Sequence, residues 1–170
     1  MGIIIKFSAP QSSCGFGYKC KYKNPDAVDK VVKYILRKDG RRKVDGSPGD
    51  FELFGSVGVY HKDIKGIIDD FKKLKVLHDK TGGVQIKHLI ISFEKQPDLT
   101  PRKLRKLINR TLKYFGNEYQ LVYAVHEDTD NLHIHVGINS VSFEGKKFSF
   151  RAKDQRKFTK HIEKIFADYI

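Results

Sequence analysis

Cysteine is scarce in this 170-residue chain: Cys14 and Cys20 are the only two. Their spacing matches neither a zinc knuckle nor a redox pair, and a single pair cannot build a disulfide framework. Long apolar runs are missing too, and the apolar opening at residues 2–7 is far too short to span a bilayer. A soluble, cytoplasmic protein is the expectation. Carboxylates are in deficit, since 20 aspartates and glutamates face 33 lysines and arginines, for a formal net charge of +13. That exceeds what solubility needs, and the cations are spread along most of the chain rather than gathered in one tail. A polyanion is the expected partner, and with no apolar span available nucleic acid answers that charge better than a membrane does.

What is present suits one folded unit. The hydrophobic share of 39% is enough for a single core, and residues 1–170 are expected to form one domain. Ile3, Ile4, Ile5 and Phe7 read as a buried first strand, followed by a Gly-, Ser- and Lys-rich loop through Tyr22. Asn24 as cap and Pro25 at the first helical position predict a helix to about Lys38, with Val28, Val31, Val32 and Ile35 as its apolar stripe. Residues 45–49 are loop and 51–60 an irregular strand, after which Ile64, Ile67, Ile68, Phe71 and Leu74 mark a second helix. Residues 85–93 form the next strand, and Thr100-Pro101 opens a third helix that Gly116 stops. Residues 119–126 and 132–141 are two strands joined by a polar, hairpin-type connection, and Phe158, Ile162, Ile165, Phe166 and Tyr169 trace a fourth helix. Strands and helices mix without a regular β-α-β alternation, so the expected class is α+β: a central antiparallel β-sheet with flanking helices.

The chemistry concentrates in the last two strands. A period of two puts Leu132, Ile134, Val136 and Ile138 on one face and His133, His135, Gly137 and Asn139 on the other. The first set is core; the second holds two imidazoles within reach of one divalent metal. His126 closes the preceding strand, and the short connection lets it complete a three-histidine set. Three neutral imidazoles leave coordination positions open, as a metal that polarises a phosphate oxygen requires. Asp128 and Asp130 lie in the connection, where either carboxylate can take the second ring proton of a ligating histidine. The bland alternative is a solvated sheet face carrying surface histidines. Histidines 61, 78, 88 and 161 stand alone in the sequence; His78 and His88 read as packing or edge residues.

The segment from His126 through Glu-Asp-Thr-Asp-Asn-Leu to His133-Ile-His135-Val-Gly-Ile-Asn139 resembles the third motif of relaxase/mobilisation nucleases, members of the HUH endonuclease superfamily. The resemblance extends to the His88-Leu-Ile-Ile-Ser92-Phe93 strand, the capped third helix, residues 120–125 and Gly145-Lys146-Lys147-Phe148. It implies an antiparallel sheet under helices, a divalent metal (Mn²⁺ or Mg²⁺) held by His126, His133 and His135, and a tyrosine nucleophile toward the N-terminus. Val32-Lys33-Tyr34-Ile35-Leu36 looks like that tyrosine motif. The implied partner is single-stranded or hairpin DNA at an origin of transfer, with accessory DNA-binding and coupling proteins. Two departures stand out: Leu132 occupies a position where many relatives carry proline, and the C-terminal extensions common among relaxases are not seen.

Tyr34 points about 120° from the centre of its helix's apolar stripe, on the margin of the core. Arg37, Lys38, Arg41 and Arg42 follow it and are placed to hold neighbouring phosphates. Tyr18, Tyr22 and Tyr60 are its rivals. A phenol is protonated at neutral pH, so attack needs a neighbouring base or cation; Asp128, Asp130 and metal-bound water are candidates. DNA contacts are also expected from Asn139, Lys146, Lys147 and Arg151, with Phe148 and Phe150 to stack on bases and Lys153, Arg156 and Lys157 continuing the basic track. Competing readings are a rolling-circle replication initiator, a single-strand transposase, a water-using metal phosphodiesterase and a non-catalytic DNA-binding module.

Overall fold

The computed structural model describes residues 3–8 and 21–168. Five strands form one sheet: β1 (Ile3–Ser8), β2 (Phe54–Val57), β3 (Ile86–Glu94), β4 (Tyr119–His126) and β5 (Asn131–Ser142), in the spatial order β1-β3-β5-β4-β2. Every neighbouring pair is antiparallel. Four helices cover it: α1 (Ala27–Ile35), α2 (Ile64–Leu77), α3 (Pro101–Gly116) and α4 (Ala152–Ala167). This is the α+β architecture expected from the chain. Among the described residues no helix is long and apolar enough to cross a membrane.

The histidine-bearing strand β5 is the centre of the sheet, so its two faces are both covered. Leu132, Ile134, Val136 and Ile138 join Leu89, Ile91 and Phe93 of β3 under the apolar stripes of α3 and α4. The opposite face, with Ile86, Val122 and Ala124, packs against Val28, Val32 and Ile35 of α1 and Ile67, Ile68 and Phe71 of α2. The molecule is a helix–sheet–helix sandwich, and strand alternation alone decides which layer each side chain meets. The Asp63 carboxylate accepts from Gly66 N at 2.9 Å to start α2, and the Thr100 hydroxyl accepts from Lys103 N at 3.2 Å to start α3.

Three local expectations change. β1 is an edge strand that among the described residues pairs with β3 alone, so Ile4 is half exposed while Ile5 packs against the core. α1 begins two residues later than expected, since Ala27 N bonds to the Asn24 carbonyl at 3.0 Å and closes a turn around Pro25. It also stops at Ile35; Leu36 and Arg37 turn back on Val32 and Tyr34, and a short 3₁₀ turn at Asp39–Arg41 follows. The loop at residues 9–20, with Cys14, Tyr18 and Cys20, lies outside the described residues.

Gly137, at the middle of the sheet, is where α1 comes closest. A Cβ there would lie 2.9 Å from Val122 Cγ1, 3.0 Å from Ile35 Cδ1 and 3.2 Å from Ile86 Cδ1. A side chain at 137 would push α1 away from β5. Gly137→Ala should therefore destabilise the fold by about 1–3 kcal/mol, the usual cost of overpacking, read as a lower urea midpoint at unchanged slope. An unshifted midpoint would show that α1 is not seated this tightly.

Candidate active site

β3, β5 and β4 run side by side, and their alternation puts His88, His135 and His126 on the face toward α1. The register sets His135 between Ile90 and Ala124, and pairs His133 with His126 on one side and Ser92 on the other. Ring centroids are 4.2 Å apart for His126 and His135, 5.1 Å for His88 and His135, and 6.1 Å for His133 and His135. The three histidines of the hairpin and one from β3 thus form one cluster.

Each ring has a nitrogen engaged by a defined partner. His126 Nε2 is 2.7 Å from the Ile35 carbonyl; a carbonyl only accepts, so Nε2 carries the proton and Nδ1 the lone pair. That Nδ1 is buried without a hydrogen-bond partner. His133 Nδ1 is 3.0 Å from Thr129 Oγ1, whose own proton goes to the Asn131 carbonyl, so His133 donates through Nδ1 and its lone pair sits on Nε2. His135 Nδ1 lies 2.9 Å from His88 Nε2. Burial, reinforced by the neighbouring His126, His88, His133 and Arg37, pushes His135 down to about 2, and burial also lowers His126 against the opposing pull of the Ile35 bond. Both rings are neutral at pH 7.

Neutral imidazoles with their far nitrogens already bonded have the donor chemistry of a divalent-metal site, and the orphaned His126 Nδ1 is a buried ring nitrogen that a cation would satisfy. As the rings stand, no group of three His, Cys, Asp or Glu side chains among the described residues is drawn into a metal-holding arrangement. The donor chemistry fits an ion; the closed geometry is not formed.

Tyr34, the last-but-one residue of α1, is 45% exposed. Its ring stands edge-on to His135, His88 and His126 at centroid distances of 5.6, 5.8 and 5.9 Å. The Arg37 guanidinium lies 4.0 Å from the centre of that ring and reaches Asp128 at 2.6 Å. Burial lowers the Arg37 pKa, but Tyr34 and Asp128 outweigh it and the net shift is upward. One wall of Tyr34 and His88 borders a cleft of about 450 Å³ that also touches Tyr22, Lys30, Val31 and Ile90. On the other side of α1, Arg37, Lys38 and Arg41 share a recess with Lys62, Lys65 and Phe54, the Arg41 guanidinium lying 4.0 Å over the Phe54 ring. Of the rival tyrosines, Tyr22 is buried, and Tyr60 is exposed with its ring edge-on to His61 rather than to the cluster.

The other expected residues separate. Asp128 is occupied by Arg37, and the histidines take Ile35, Thr129 and His88 as partners in place of either aspartate. Asp130 faces a different recess, with Lys43, Asp45 and Lys95. Asn139 cannot meet DNA: it is fully buried and donates to the Phe71 carbonyl at 3.1 Å and to Gln120 Oε1 at 2.8 Å, because α2 covers that end of the face. Arg42 folds back onto the Gly46 carbonyl at 2.9 Å. Lys146 and Lys147 follow the far end of β5, paired with Glu144 and with the Lys80 and Gly82 carbonyls. Arg151 caps α4, on the opposite layer. Phe148 and Phe150 are packed against the core beside Phe115 rather than open to a base.

Some residues of the cluster stand outside the local sequence pattern. His88, expected as a packing or edge residue, shares the parity of Ile86 and Ile90 and lies on the histidine face, 2.9 Å from His135. Glu127 is buried and accepts from Asp50 N at 3.1 Å and Phe51 N at 3.0 Å, while its own N–H donates to the Gly40 carbonyl at 2.9 Å. It ties the connection to the segment that follows α1. Gly40 is there for space: a Cβ would lie 2.9 Å from His126 Cε1 and from the Arg37 guanidinium.

A family model described as the nuclease domain of MobA/VirD2-like relaxases matches residues 34–169. Similar curated proteins include the group II intron-interrupted relaxase LtrB of Lactococcus lactis subsp. cremoris, 33% identical over 81 residues that make up 46% of this chain and 14% of that protein. A protein rlx of Staphylococcus aureus is 35% identical over 91 residues, 53% of this chain and 28% of its own length. Protein TraI of Escherichia coli is 44% identical over 55 residues, 32% of this chain and 7% of TraI. The chain spans less than a third of each of these relatives.

The depressed histidines give a pH test. An unfolded histidine titrates near 6.5, so below that value the unfolded chain binds protons that His126 and His135 refuse when folded, and stability falls with falling pH. Between pH 7 and 5 the loss from His135 alone should be about 2 kcal/mol, with His126 adding in the same direction, measured by urea unfolding with a chelator present. Equal stability at the two pH values would mean the rings are not buried neutral.

Proposed function

The chain belongs to the MobA/VirD2-like relaxases, and from that membership we propose that it nicks one DNA strand at an origin of transfer, with Tyr34 as the nucleophile. His126, His133 and His135 are the residues that would hold a divalent ion, Mn²⁺ or Mg²⁺. The observation that carries this reading is the edge-on contact of the half-exposed Tyr34 ring with three imidazoles at under 6 Å. The matched region begins at this same tyrosine. On this reading residues 1–170 are one nuclease domain, acting in the cytoplasm on single-stranded or hairpin DNA.

A cation bound by the histidines would supply positive charge to polarise an oxygen of the scissile phosphate. The chain's own groups do the rest. Arg37 places a permanent charge against the phenol and beside the incoming phosphate, and Asp128 holds that guanidinium in position rather than serving as a base. Lys38, Arg41, Lys62 and Lys65 offer phosphate contacts on the neighbouring strand segment. The phenol gives up its proton to solvent, its oxygen bonds to phosphorus, and the bond from phosphorus to the 3′-side oxygen breaks as that oxygen takes up a proton from solvent. That oxygen leaves as a 3′-hydroxyl, and the 5′ end stays on Tyr34 as a phosphotyrosine. The bond energy is kept, so the reverse attack can reseal the strand.

The test is a denaturing gel of the protein with Mn²⁺ or Mg²⁺ and labelled single-stranded oligonucleotides tiling the hairpin-bearing DNA around its own gene. A shifted, protein-linked 5′ product is expected. Tyr34→Phe should reduce it by at least about a thousandfold. Cleavage without a protein-linked end, or a normal adduct from Tyr34→Phe, would remove Tyr34 from its role.

His88 gives a separate measurement. If its bond orients His135 toward the ion, His88→Ala should weaken Mn²⁺ binding about 10–100-fold by calorimetry, while adduct formation recovers at saturating Mn²⁺. Unchanged affinity would leave His88 a packing residue.

A further inference from the structure

The four helices carry their positive charge unevenly between the two layers. α3 carries six lysines and arginines and no carboxylate; α4 carries five and two. The layer beside Tyr34 is far closer to neutral, with two lysines and one aspartate in α1 and four lysines and two aspartates in α2. Most of the helical charge therefore sits on the side of the sheet away from the histidine cluster.

On that layer the cations form rows. Arg102, Lys106, Arg110 and Lys113 recur along the exposed side of α3, and Lys153, Lys157, Lys160 and Lys164 along that of α4. Steps of three and four residues set them about 4.5–6 Å apart along each axis. The two helices lie antiparallel, since Arg110 meets Asp168 and Tyr114 meets Phe158 and His161. Lys103 and Arg110 are drawn to Asp98 and Asp168.

We propose that this α3/α4 face is a second DNA-binding surface, one that grips the backbone of duplex DNA without reading its sequence. The charge alone calls for a polyanion. A lipid surface is disfavoured because an interfacial helix needs apolar side chains to insert, whereas the apolar faces of α3 and α4 are spent on the core and Tyr114 is the one large hydrophobic of these helices left partly open. Single-stranded nucleic acid is disfavoured because Tyr114 is the one large aromatic of these helices left partly open and its ring already packs on Phe115, Phe158 and His161, while Phe148 and Phe150 pack against the core; a run of stacked bases needs several open rings. Two rows of cations on rigid helices suit the repeating phosphates of a duplex. The strand to be cut and the duplex that flanks it would then occupy opposite faces of one domain.

The test uses the full chain and a duplex of about 20 base pairs with no hairpin, titrated by fluorescence anisotropy over a range of KCl. Arg102→Gln, Lys106→Gln and Lys113→Gln are combined in one variant; glutamine keeps helix propensity at these exposed positions. An equal-charge control combines Lys23→Gln, Lys73→Gln and Lys80→Gln, all exposed and outside the layer. The α3 variant should lose at least about tenfold in affinity at low salt, with a salt slope shallower by about 3, near 0.9 for each phosphate contact removed. The control should change the slope by less than about 1. Adduct formation on a short single strand should be the same for the α3 variant as for the wild type. Equal losses in both variants, or none in either, would overturn the proposal, as would adduct formation falling in step with duplex affinity or tighter binding to anionic phosphatidylserine vesicles than to the duplex. If the wild type forms no adduct at all, the nuclease reading fails, and the duplex titration still decides this one.

Discussion

One hydrogen bond organises the site: the 2.7 Å contact from His126 Nε2 to the Ile35 carbonyl. The last carbonyls of a helix have no partner inside it, and this one is buried at the end of α1, where leaving it unsatisfied would cost about 1–3 kcal/mol. His126 meets that need. In doing so it sets its own tautomer, leaves the lone pair on a buried Nδ1 with no hydrogen-bond partner, and pins the end of α1 one residue beyond Tyr34. The same contact that satisfies the helix thus aligns a phenol with three imidazoles.

That bond is made across a gap that only the middle of the sheet provides. β5 lies between β3 and β4, so the histidine face receives His88 from one side and His126 from the other. Gly137 lets Ile35 settle directly on the strand, and Gly40 lets the returning chain pass close to His126 and Arg37. Two missing side chains therefore set how near α1 comes to the sheet, and with it the distance from Tyr34 to the rings. Glu127, buried beneath the connection, fastens the returning segment through the amides of Asp50 and Phe51.

Electrostatics divides the molecule in the other direction. Around Tyr34 the helices add little net charge, and Arg37 of the segment after α1 is held between the phenol ring and Asp128. Across the sheet the charges are many and exposed. A sequence reading that added Arg151, Lys153, Arg156 and Lys157 to the track beside Tyr34 joined two surfaces that the sheet keeps apart, because net charge along a chain carries no information about which layer a helix joins.

The alternation at residues 132–139 was enough to separate the histidine face from the apolar one, since a strand's two-residue repeat is local. Helical stripes and caps likewise placed α2, α3 and α4 to within a few residues. The residues brought from elsewhere were not legible in this way. His88 reaches His135 through strand pairing across 47 positions, and no local pattern encodes which strands become neighbours. Asn139 shares the parity of His135, yet its fate depended on how far α2 extends along β5. Asp128 and Asp130 are two residues apart, and the turn between them sends one to Arg37 and the other to a separate recess. Local periodicity is set by covalent geometry and is present in the chain itself; proximity between distant segments is set by packing, and exists only once the helices have closed over the sheet.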